Sequence, residues 1–424
     1  MDNTLKLFWA VSLHFDSPVH IGSGDSEEYI GAANIVRNGV GEYVIPGTSL
    51  AGLFATRLHS TAMVKHEEQG SSSMIVNHSD IEELSASHLV FRTVILKPKN
   101  KFLRDRVRIN PETKTAADKA KFAQWEILPQ NTTFIIELDN VSKQDRLSDE
   151  QMASIQERIN QVLASWNKES FFIGAHASVG NGFAKVISVK RCSLCKENYA
   201  QYLATPISEL HKANMNWESI NLDDIKFKPV FRRRYRLILK TGLHDPILIK
   251  GNSYYPSDTN PETDSPFVNR AGDIFVPGSS IRGAITAFMR KYGVKDWLTL
   301  CGQPQAQEQN QAHEDEPTKS SILFTDLKLV KDDKVKIVKL EHHAEDQFSR
   351  AVWGPGKFDE ERAFNASFVG EILVADTYHQ YDPSLLDRIF SFLMQGMKHR
   401  MISLGAGSAY PQMELEEIPC ENFQ

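Results

Sequence analysis

The chain has 424 residues, of which 41% are hydrophobic and 24% are charged. This length and composition indicate a globular protein with two or three domains and exclude a mainly disordered chain. The net charge of −6 excludes a protein that coats nucleic acid with its whole surface, but it is compatible with a local basic groove.

The sequence also bears on the expected location. It contains no run of about 18 uncharged apolar residues, so no transmembrane helix and no membrane partner are expected. The opening MDNTLKLFWAVSLHF has no basic segment and no small-residue cleavage site, which argues against a signal peptide. The four cysteines are too few for a disulfide framework. A cytoplasmic protein is expected.

The predicted elements follow one another in the same order twice. KLFWAVSLHF alternates like a strand, SLAGLFATRLHSTAM has helical spacing, and FIIELDNV predicts a further strand. The amphipathic helix DEQMASIQERINQVLASW then leads into the glycine loop GAHASVGNGFAKV. In the second half the corresponding segments are YRLILKTGL, SSIRGAITAFMRKYG, ASFVGEILVAD and SLLDRIFSFLMQGMKHR, again followed by a glycine-containing loop.

Short motifs indicate that this recurrence is a duplication. VIPGTSLAG around Pro46 recurs as FVPGSSIRG around Pro277, 231 residues later. Four further collinear pairs have offsets between 228 and 236 residues, among them AKFAQWEI with GKFDEERA. We predict a first domain over residues 1–190 (copy one), a linker over 191–230 with one short helix, and a second domain over 231–424 (copy two). The element order predicts an α+β fold with two tandem ferredoxin-like domains of the RRM type and inserted loops.

Three features suit contact with RNA. In the turn PG[ST]S before a helix, the hydroxyl residues Thr48/Ser49 and Ser279/Ser280 are predicted N-caps. The free N–H groups of such a helix start attract anions, although a capped turn alone would look the same. The glycine loops offer backbone donors but are also typical of tight helix-to-strand connections. FRRRYR combines cations with aromatic rings, as in single-stranded RNA sites, and equally fits a solvated strand face. The RNA-binding candidates are Gly47, Thr48, Ser49, His176, Ser178, Asn181, Lys185, Arg232, Arg233, Arg234, Lys250, Gly278, Ser279, Ser280, Arg282, Gly405, Gly407 and Ser408.

A metal site is not evident from the cysteines. Cys192 and Cys195 have the spacing of half a zinc site, but Cys301 and Cys420 stand singly and far away. No structural zinc is expected, and the role of the pair stays open.

The order of the motifs resembles that of the RAMP superfamily of CRISPR effector proteins. The resemblance rests on SPVHIGSG, NIVRNGVGEYVIPGTSLAG and GAHASVGNGFAKV in copy one, and on DSPFVNRAGDIFVPGSSIRG and LGAGSAYPQ in copy two. It is greatest to the backbone subunit of type III complexes, of which this chain resembles two fused copies. The resemblance implies binding of CRISPR RNA and guide-paired target RNA, other type III effector subunits as partners, and an antiviral role.

The resemblance also implies a catalytic aspartate. In this family a loop aspartate before the PG[ST]S motif cuts the target RNA with Mg²⁺ or another divalent cation. Asp264 has this place in copy two, thirteen residues before Pro277, and would be both catalytic residue and metal ligand. A carboxylate can orient a ribose 2′-hydroxyl, accept its proton or hold the metal. Thirteen residues before Pro46 stands Ala33, which puts cleavage by copy one in doubt.

Several alternatives stay open. Asp25, Glu27 or Glu28 are substitutes for the missing acid of copy one, and Asp258 is a second candidate in copy two. The chain is alternatively a scaffold that binds CRISPR RNA without cutting. A nuclease that processes precursor RNA and a duplicated metabolic enzyme are further interpretations, but no Tyr/His/Lys constellation and no cofactor motif supports them.

Overall fold

The computed structural model describes residues 6–27, 31–61, 88–110, 116–140, 147–251, 267–270, 273–302, 319–345, 348–349, 352–375, 383–405 and 409–419. These residues form strands and helices in both halves, which confirms the predicted α+β class. Within these ranges, no helix combines the length and apolar character needed to cross a membrane.

Copy one is built on an antiparallel sheet. Its elements are β1 (Lys6–Phe15), β2 (Gly22–Ser26), β3 (Ala33–Ile35), β4 (Val44–Ile45), α1 (Gly47–Thr61), β5 (Leu89–Phe91), β6 (Val94–Ile95), β7 (Pro98–Ile109), β8 (Ala116–Pro129), β9 (Thr132–Asp139), α2 (Asp149–Lys168), β10 (Phe171–Phe172) and β11 (Phe183–Leu194). The main sheet has the order β10-β11-β1-β9-β5. A second sheet, β2-β3-β8-β7, contains the long hairpin β7–β8.

The connecting segment contains α3 (Tyr199–Ala204), a 3₁₀ turn (Ile207–Lys212) and β12 (Glu218–Ser219), which pairs with β11. Copy two contains β13 (Phe231–Lys240), β14 (Asn269–Arg270), β15 (Asp273–Val276), α4 (Gly278–Lys291), α5 (Lys295–Leu300), β16 (Ile322–Phe324), β17 (Leu327–Val330), β18 (Lys336–Glu345), β19 (Val352–Phe364), β20 (Ser367–Ala375), α6 (Pro383–Lys398) and β21 (Gln412–Glu417). Its main sheet has the order β14-β15-β17-β20-β13-β21, and β18 and β19 form a separate hairpin.

The two main sheets share one strand order. Across the copy-one sheet four strands lie in the order β11-β1-β9-β5. In chain order, these are the fourth, first, third and second of the four strands. The strands β13, β17, β20 and β21 of copy two have the same order. An ion pair recurs as well: Lys6 binds Glu137 on the third strand of copy one, and Arg234 binds Glu371 on the third strand of copy two.

Each copy has its own hydrophobic core. Side chains alternate along β1, so Trp9 and its odd-numbered neighbours face α1 and α2. The amphipathic helix α2 begins at a capping box formed by Ser148 and Gln151 and buries its apolar face in this core. In copy two, Phe368 of β20 and Phe390 of α6 belong to a separate core.

The connecting segment packs on the other face of the copy-one sheet. Leu210 and Met215 are fully buried against Phe8 and Ile135, which point away from the helices. The segment predicted as a linker therefore covers one sheet face of copy one. It contains the single predicted α-helix and, in addition, a 3₁₀ turn and a short strand.

Candidate nucleic-acid interface

The open face of the copy-two sheet carries cross-strand ion pairs. Arg234 binds Glu371 through two hydrogen bonds of 2.8 and 3.0 Å. Lys240 lies 3.2 Å from Glu414, and Arg236 lies 3.7 Å from Glu416. In copy one, the corresponding face of the main sheet is covered by the connecting segment. Among the described residues, the face of neither main sheet that lies away from the helices therefore presents a row of unpaired basic side chains.

The basic cluster FRRRYR is engaged within the protein. Arg233 pairs with Asp387 and donates to the hydroxyl of Tyr235, and Arg232 also has a partner. Arg234 stands at the position that Lys6 has in copy one, within the recurring ion pair. The sequence left two interpretations of this cluster open, a strand face and an RNA site. Contacts within the protein favour the strand face.

The PG[ST]S turns are tightly packed helix starts. A Cβ atom on Gly47 would lie 2.0 Å from the carbonyl oxygen of Phe91, and one on Gly278 would lie 2.5 Å from that of Phe324. Both glycines are therefore required by close packing.

The predicted hydroxyl caps are wrong for copy two. Ser279 and Ser280 lie within the first turn of α4, and Pro277 is the N-cap residue without a side-chain bond. Instead, the Gly278 N–H donates to Asp326 Oδ1 at 2.8 Å. Thr48 and Ser49 likewise lie inside α1, and the Gly47 N–H points to Thr93 Oγ1 at 3.4 Å.

The glycine loop of copy one contacts copy two. Arg282 Nη1 donates to Ser178 Oγ at 2.7 Å. Gly180 has a φ of +94°, and a Cβ there would lie 2.8 Å from backbone atoms of Phe324 and Asp326. The structure thus brings together Ser178, Gly278 and Arg282, which were RNA candidates, at the junction between the copies.

A buried polar cluster, the junction network, continues this contact. It consists of Arg104, Arg106, Glu126, Asn181 and Asp326. Glu126 Oε1 accepts from Asn181 Nδ2 at 2.7 Å and from Arg106 Nη2 at 3.3 Å. Arg104 Nη1 donates to the Asn181 side-chain oxygen, and its Nη2 lies 3.8 Å from Asp326 Oδ1. Two candidate residues of the glycine loop, Ser178 and Asn181, thereby contact protein groups.

The charges of this network balance, because Arg104 and Arg106 face the carboxylates of Glu126 and Asp326. Burial and the neighbouring Arg104 lower the pKa of Arg106 to about 10. Within the described residues, Arg106 Nε and Arg104 Nη2 are buried without a hydrogen-bond acceptor.

An exposed aromatic side chain lies next to the junction network. Phe122 is 47% exposed, lies opposite Arg106 in the β7–β8 hairpin and stacks on His176 at a centroid distance of 5.9 Å. His176 has a left-handed φ of +63°. Partial burial of its ring, then the charges of Arg106 and His20, lower the pKa of His176 to about 4.

Copy two also has an exposed hairpin phenylalanine, but its stacking partner is His342 of the same hairpin, which lies 3.0 Å from Glu360. Phe358 is 44% exposed, lies opposite His342 in the β18–β19 hairpin and stacks on it at 5.1 Å. Phe122 and Phe358 occupy matching places in AKFAQWEI and GKFDEERA, but the sequence predicted no role for either ring. The matching motifs could have drawn attention to the two phenylalanines, but their exposure is evident only from the structure.

The other binding candidates are scattered. Lys185 is exposed on β11, Lys250 is exposed in an isolated bridge with Phe267, and Arg282 is half-buried at the junction. Gly405 has a φ of +81° and packs on the carbonyl oxygen of Leu248, as Gly174 packs on that of His20. Gly407 and Ser408 lie outside the described residues.

Only two of the five candidate acids, Asp25 and Glu27, lie within the described residues. Asp264, Asp258 and Glu28 lie outside the described residues. Asp25 is exposed on β2, and Glu27 Oε2 accepts from the Trp125 indole N–H at 2.7 Å.

The place of the missing acid in copy one can also be counted from a matched hydrogen bond. Val36 N donates to Ile21 O as Val268 N donates to Ile249 O, so Val36 matches Val268. Counted along the sequence from this pair, position 264 corresponds to Ala32, whereas the count from the Pro-Gly turn gives Ala33; neither residue has a carboxylate.

The described residues form no group of three or more His, Cys, Asp or Glu side chains able to hold a metal ion. Cys192 is buried beside the carbonyl of Met215, and burial raises its pKa to about 11, which disfavours the thiolate that a metal needs. A divalent ion at Asp264 would need RNA oxygens for the rest of its shell, as Mg²⁺ sites commonly do.

Comparison with known proteins supports one part of the sequence resemblance. The family model of the RAMP superfamily matches residues 12–185. This span includes the last four residues of β1, both helices of copy one and the glycine loop up to Lys185. No curated protein matches the chain.

Proposed function

We propose that this chain binds CRISPR RNA as a double RAMP subunit, with two ferredoxin-like domains, in the backbone of a type III effector complex. Three findings support the proposal: the family match over residues 12–185, the strand order common to both sheets, and the recurring ion pair. Copy two lies outside the matched span, so its assignment rests on the repeat.

One observation carries the RNA-binding proposal. Each copy presents an exposed phenylalanine, stacked on a histidine, at the same place in a long hairpin. Single exposed rings are common on protein surfaces, so it is their recurrence at the same place in both copies that supports the proposal. Nucleobases stack on such rings, and neighbouring cations hold the phosphates.

The test is RNA affinity measured by fluorescence anisotropy with a labelled single-stranded RNA. Phe122→Ala and Phe358→Ala are each expected to weaken binding at least about fivefold, since one stacked base contributes about 1–3 kcal/mol. Tyr199→Ala is the matched control, because Tyr199 is 43% exposed but lies in the connecting segment. Equal affinities of all three variants would count against the proposal.

Cleavage of guide-paired target RNA is the second part of the proposal, with Asp264 of copy two as the acting carboxylate. The 2′-hydroxyl attacks the adjacent phosphorus, the bond to the 5′-oxygen breaks, and the products are a 2′,3′-cyclic phosphate and a 5′-hydroxyl. A divalent cation held by Asp264 and RNA would neutralise developing charge. Copy one has an alanine at this place, Ala32 or Ala33 by the two counts, and would act as scaffold.

Cleavage is tested with the guide-bound complex and Mg²⁺, by comparing wild type with Asp264→Ala while target binding is monitored. Loss of one cut with unchanged binding supports the assignment. If every cut remains, Asp264 is not the acting acid, and Asp258→Ala then separates a second acid from the alternative of a non-catalytic scaffold subunit.

A further inference from the structure

A basic surface lies at the β2-β3-β8-β7 sheet of copy one and at the isolated bridge between Arg37 and Tyr43 that follows β3. Lys101 Nζ lies 3.5 Å from the ring centroid of Trp125. Arg37 Cζ lies 4.5 Å from that of Tyr43, and its Nη2 donates to the Tyr43 hydroxyl at 2.8 Å. These four residues, Arg37, Tyr43, Lys101 and Trp125, are the basic–aromatic patch.

The two cations of the patch are exposed and not neutralised. Among the described residues, no carboxylate lies within 4.0 Å of either charge, whereas the strand residues Arg234 and Lys240 have glutamate partners. The nearby Glu27 is held by the Trp125 indole at 2.7 Å. Partial desolvation and the charge of Arg37 lower the pKa of Lys101, while Glu27 opposes this shift.

The aromatic rings give the patch a fixed geometry. A cation above a ring face keeps fewer rotamers, so less entropy is lost when it binds a ligand. The charge of Arg37 acts on Lys101, so an anion placed between the two cations is attracted by both. A phosphodiester group is such an anion, and adjacent bases can reach the aromatic edges.

The patch is not part of the duplication. By the register of the repeat, Arg37 and Tyr43 correspond to Asn269 and Ile274. By the match of Phe122 with Phe358, Lys101 and Trp125 correspond to Ile337 and Glu361. Copy two therefore has neither the cations nor the aromatic rings, and the patch serves copy one alone.

We propose that the basic–aromatic patch binds a backbone phosphate of single-stranded RNA between Arg37 and Lys101. This inference rests on the proposed RNA-binding function and adds to it a contact that only copy one makes. It differs from the hairpin phenylalanines in chemistry, because it recognises charge and they offer a stacking surface.

The test uses the full chain and a labelled single-stranded RNA at several salt concentrations. Arg37→Gln with Lys101→Gln is expected to weaken binding about tenfold. The slope of log affinity against log salt should become shallower by about 0.7 for one lost phosphate contact. Lys196→Gln with Lys295→Gln removes the same charge from exposed positions elsewhere and is the matched control.

A gain-of-affinity variant separates the inference from a folding defect. Glu27→Gln removes the negative charge beside Lys101 and keeps an acceptor for Trp125, so binding should tighten about two- to threefold.

The outcomes separate this inference from the function on which it rests. If wild type binds RNA but the double variant equals its control, the patch inference is overturned and the RNA-binding proposal stands. If wild type does not bind RNA, both are overturned.

Discussion

At the scale of single residues, His176 reports the charge around the junction network. Its pKa of about 4 arises from partial burial and from Arg106 and His20. We expect a histidine NMR titration to place His176 well below the ordinary value of about 6.5, and Arg106→Met to raise the pKa toward it. Bound RNA phosphate should also raise it. An unchanged pKa in Arg106→Met would show that Arg106 is not a cause.

The same shift sets the sign of a pH effect on stability. The unfolded chain takes up a proton at His176 near pH 6.5, whereas the folded chain takes it up only near pH 4. His176 therefore contributes stability above pH 6.5 that is lost as the pH falls toward 4. Denaturation of His176→Ala at pH 7 and pH 5 should show a smaller pH effect than wild type.

Single residues were also the hardest to interpret from the sequence. FRRRYR indicates cations and a ring, but the partner of Arg234 is Glu371, which lies 137 residues away. Cross-strand partners depend on sheet order, and sheet order is not visible in a local pattern. The predicted hydroxyl caps were wrong for the same reason, since Asp326 accepts from Gly278 although it lies 48 residues away, in the connection between β16 and β17.

At the scale of elements, Asp326 caps α4 from outside the helix. Asp326→Ala removes the acceptor of the Gly278 N–H and the carboxylate nearest Arg104 Nη2. We expect the free energy of unfolding in urea to fall by about 1–3 kcal/mol. Thr93→Ala is the matched control in copy one, where the 3.4 Å contact predicts a smaller loss. Equal losses would refute the external cap.

The connecting segment acts as part of the copy-one core. Leu210 is fully buried against Phe8 and Ile135, so Leu210→Ala should lower the free energy of unfolding by about 2–5 kcal/mol. Leu203, 65% exposed in α3, is the control, and Leu203→Ala should change little. Urea denaturation, with hydrogen exchange of β1, measures both. A neutral Leu210→Ala would mean that the segment covers the sheet without stabilising it.

Elements with regular periodicity were predictable. The 3.6-residue spacing placed α1, α2, α4 and α6, and alternation placed β1 and β13. The hairpin β18–β19 was not assigned as strands, because its glutamates, lysines and histidines on both faces produce no alternation of apolar residues. The exposed phenylalanines of the proposed interface lie in such segments, so the candidate site was the least predictable part.

At the scale of the whole molecule, the junction is asymmetric. Fifteen positions separate Gly174 from Val189, but only eight separate Gly405 from Met413 at the matching place in copy two. The extra residues of copy one include Ser178, Gly180 and Asn181, which contact copy two or the junction network. The duplication therefore produced two similar domains, and the longer loop of the first joins them.

Gly180 is the residue at which the contact between the two copies is most easily tested. Its φ of +94°, and the backbone atoms that would lie 2.8 Å from an added Cβ, leave no room for a side chain. Gly180→Ala should push the loop away from Phe324 and Asp326 and weaken the Arg282–Ser178 bond. We expect faster hydrogen exchange over residues 322–326 and a weaker RNA affinity, because His176 and Phe122 adjoin the same loop.

Gly24→Ala is the matched control for backbone strain. Gly24 has a φ of +90°, but a Cβ there meets no atom within 4 Å. Both substitutions carry a similar cost of about 1–3 kcal/mol for the left-handed backbone, so only the steric contact with copy two differs. If Gly24→Ala and Gly180→Ala have the same exchange in 322–326 and the same RNA affinity, the loop does not hold the copies together. A difference confined to Gly180→Ala would establish that the junction orients the proposed RNA surface.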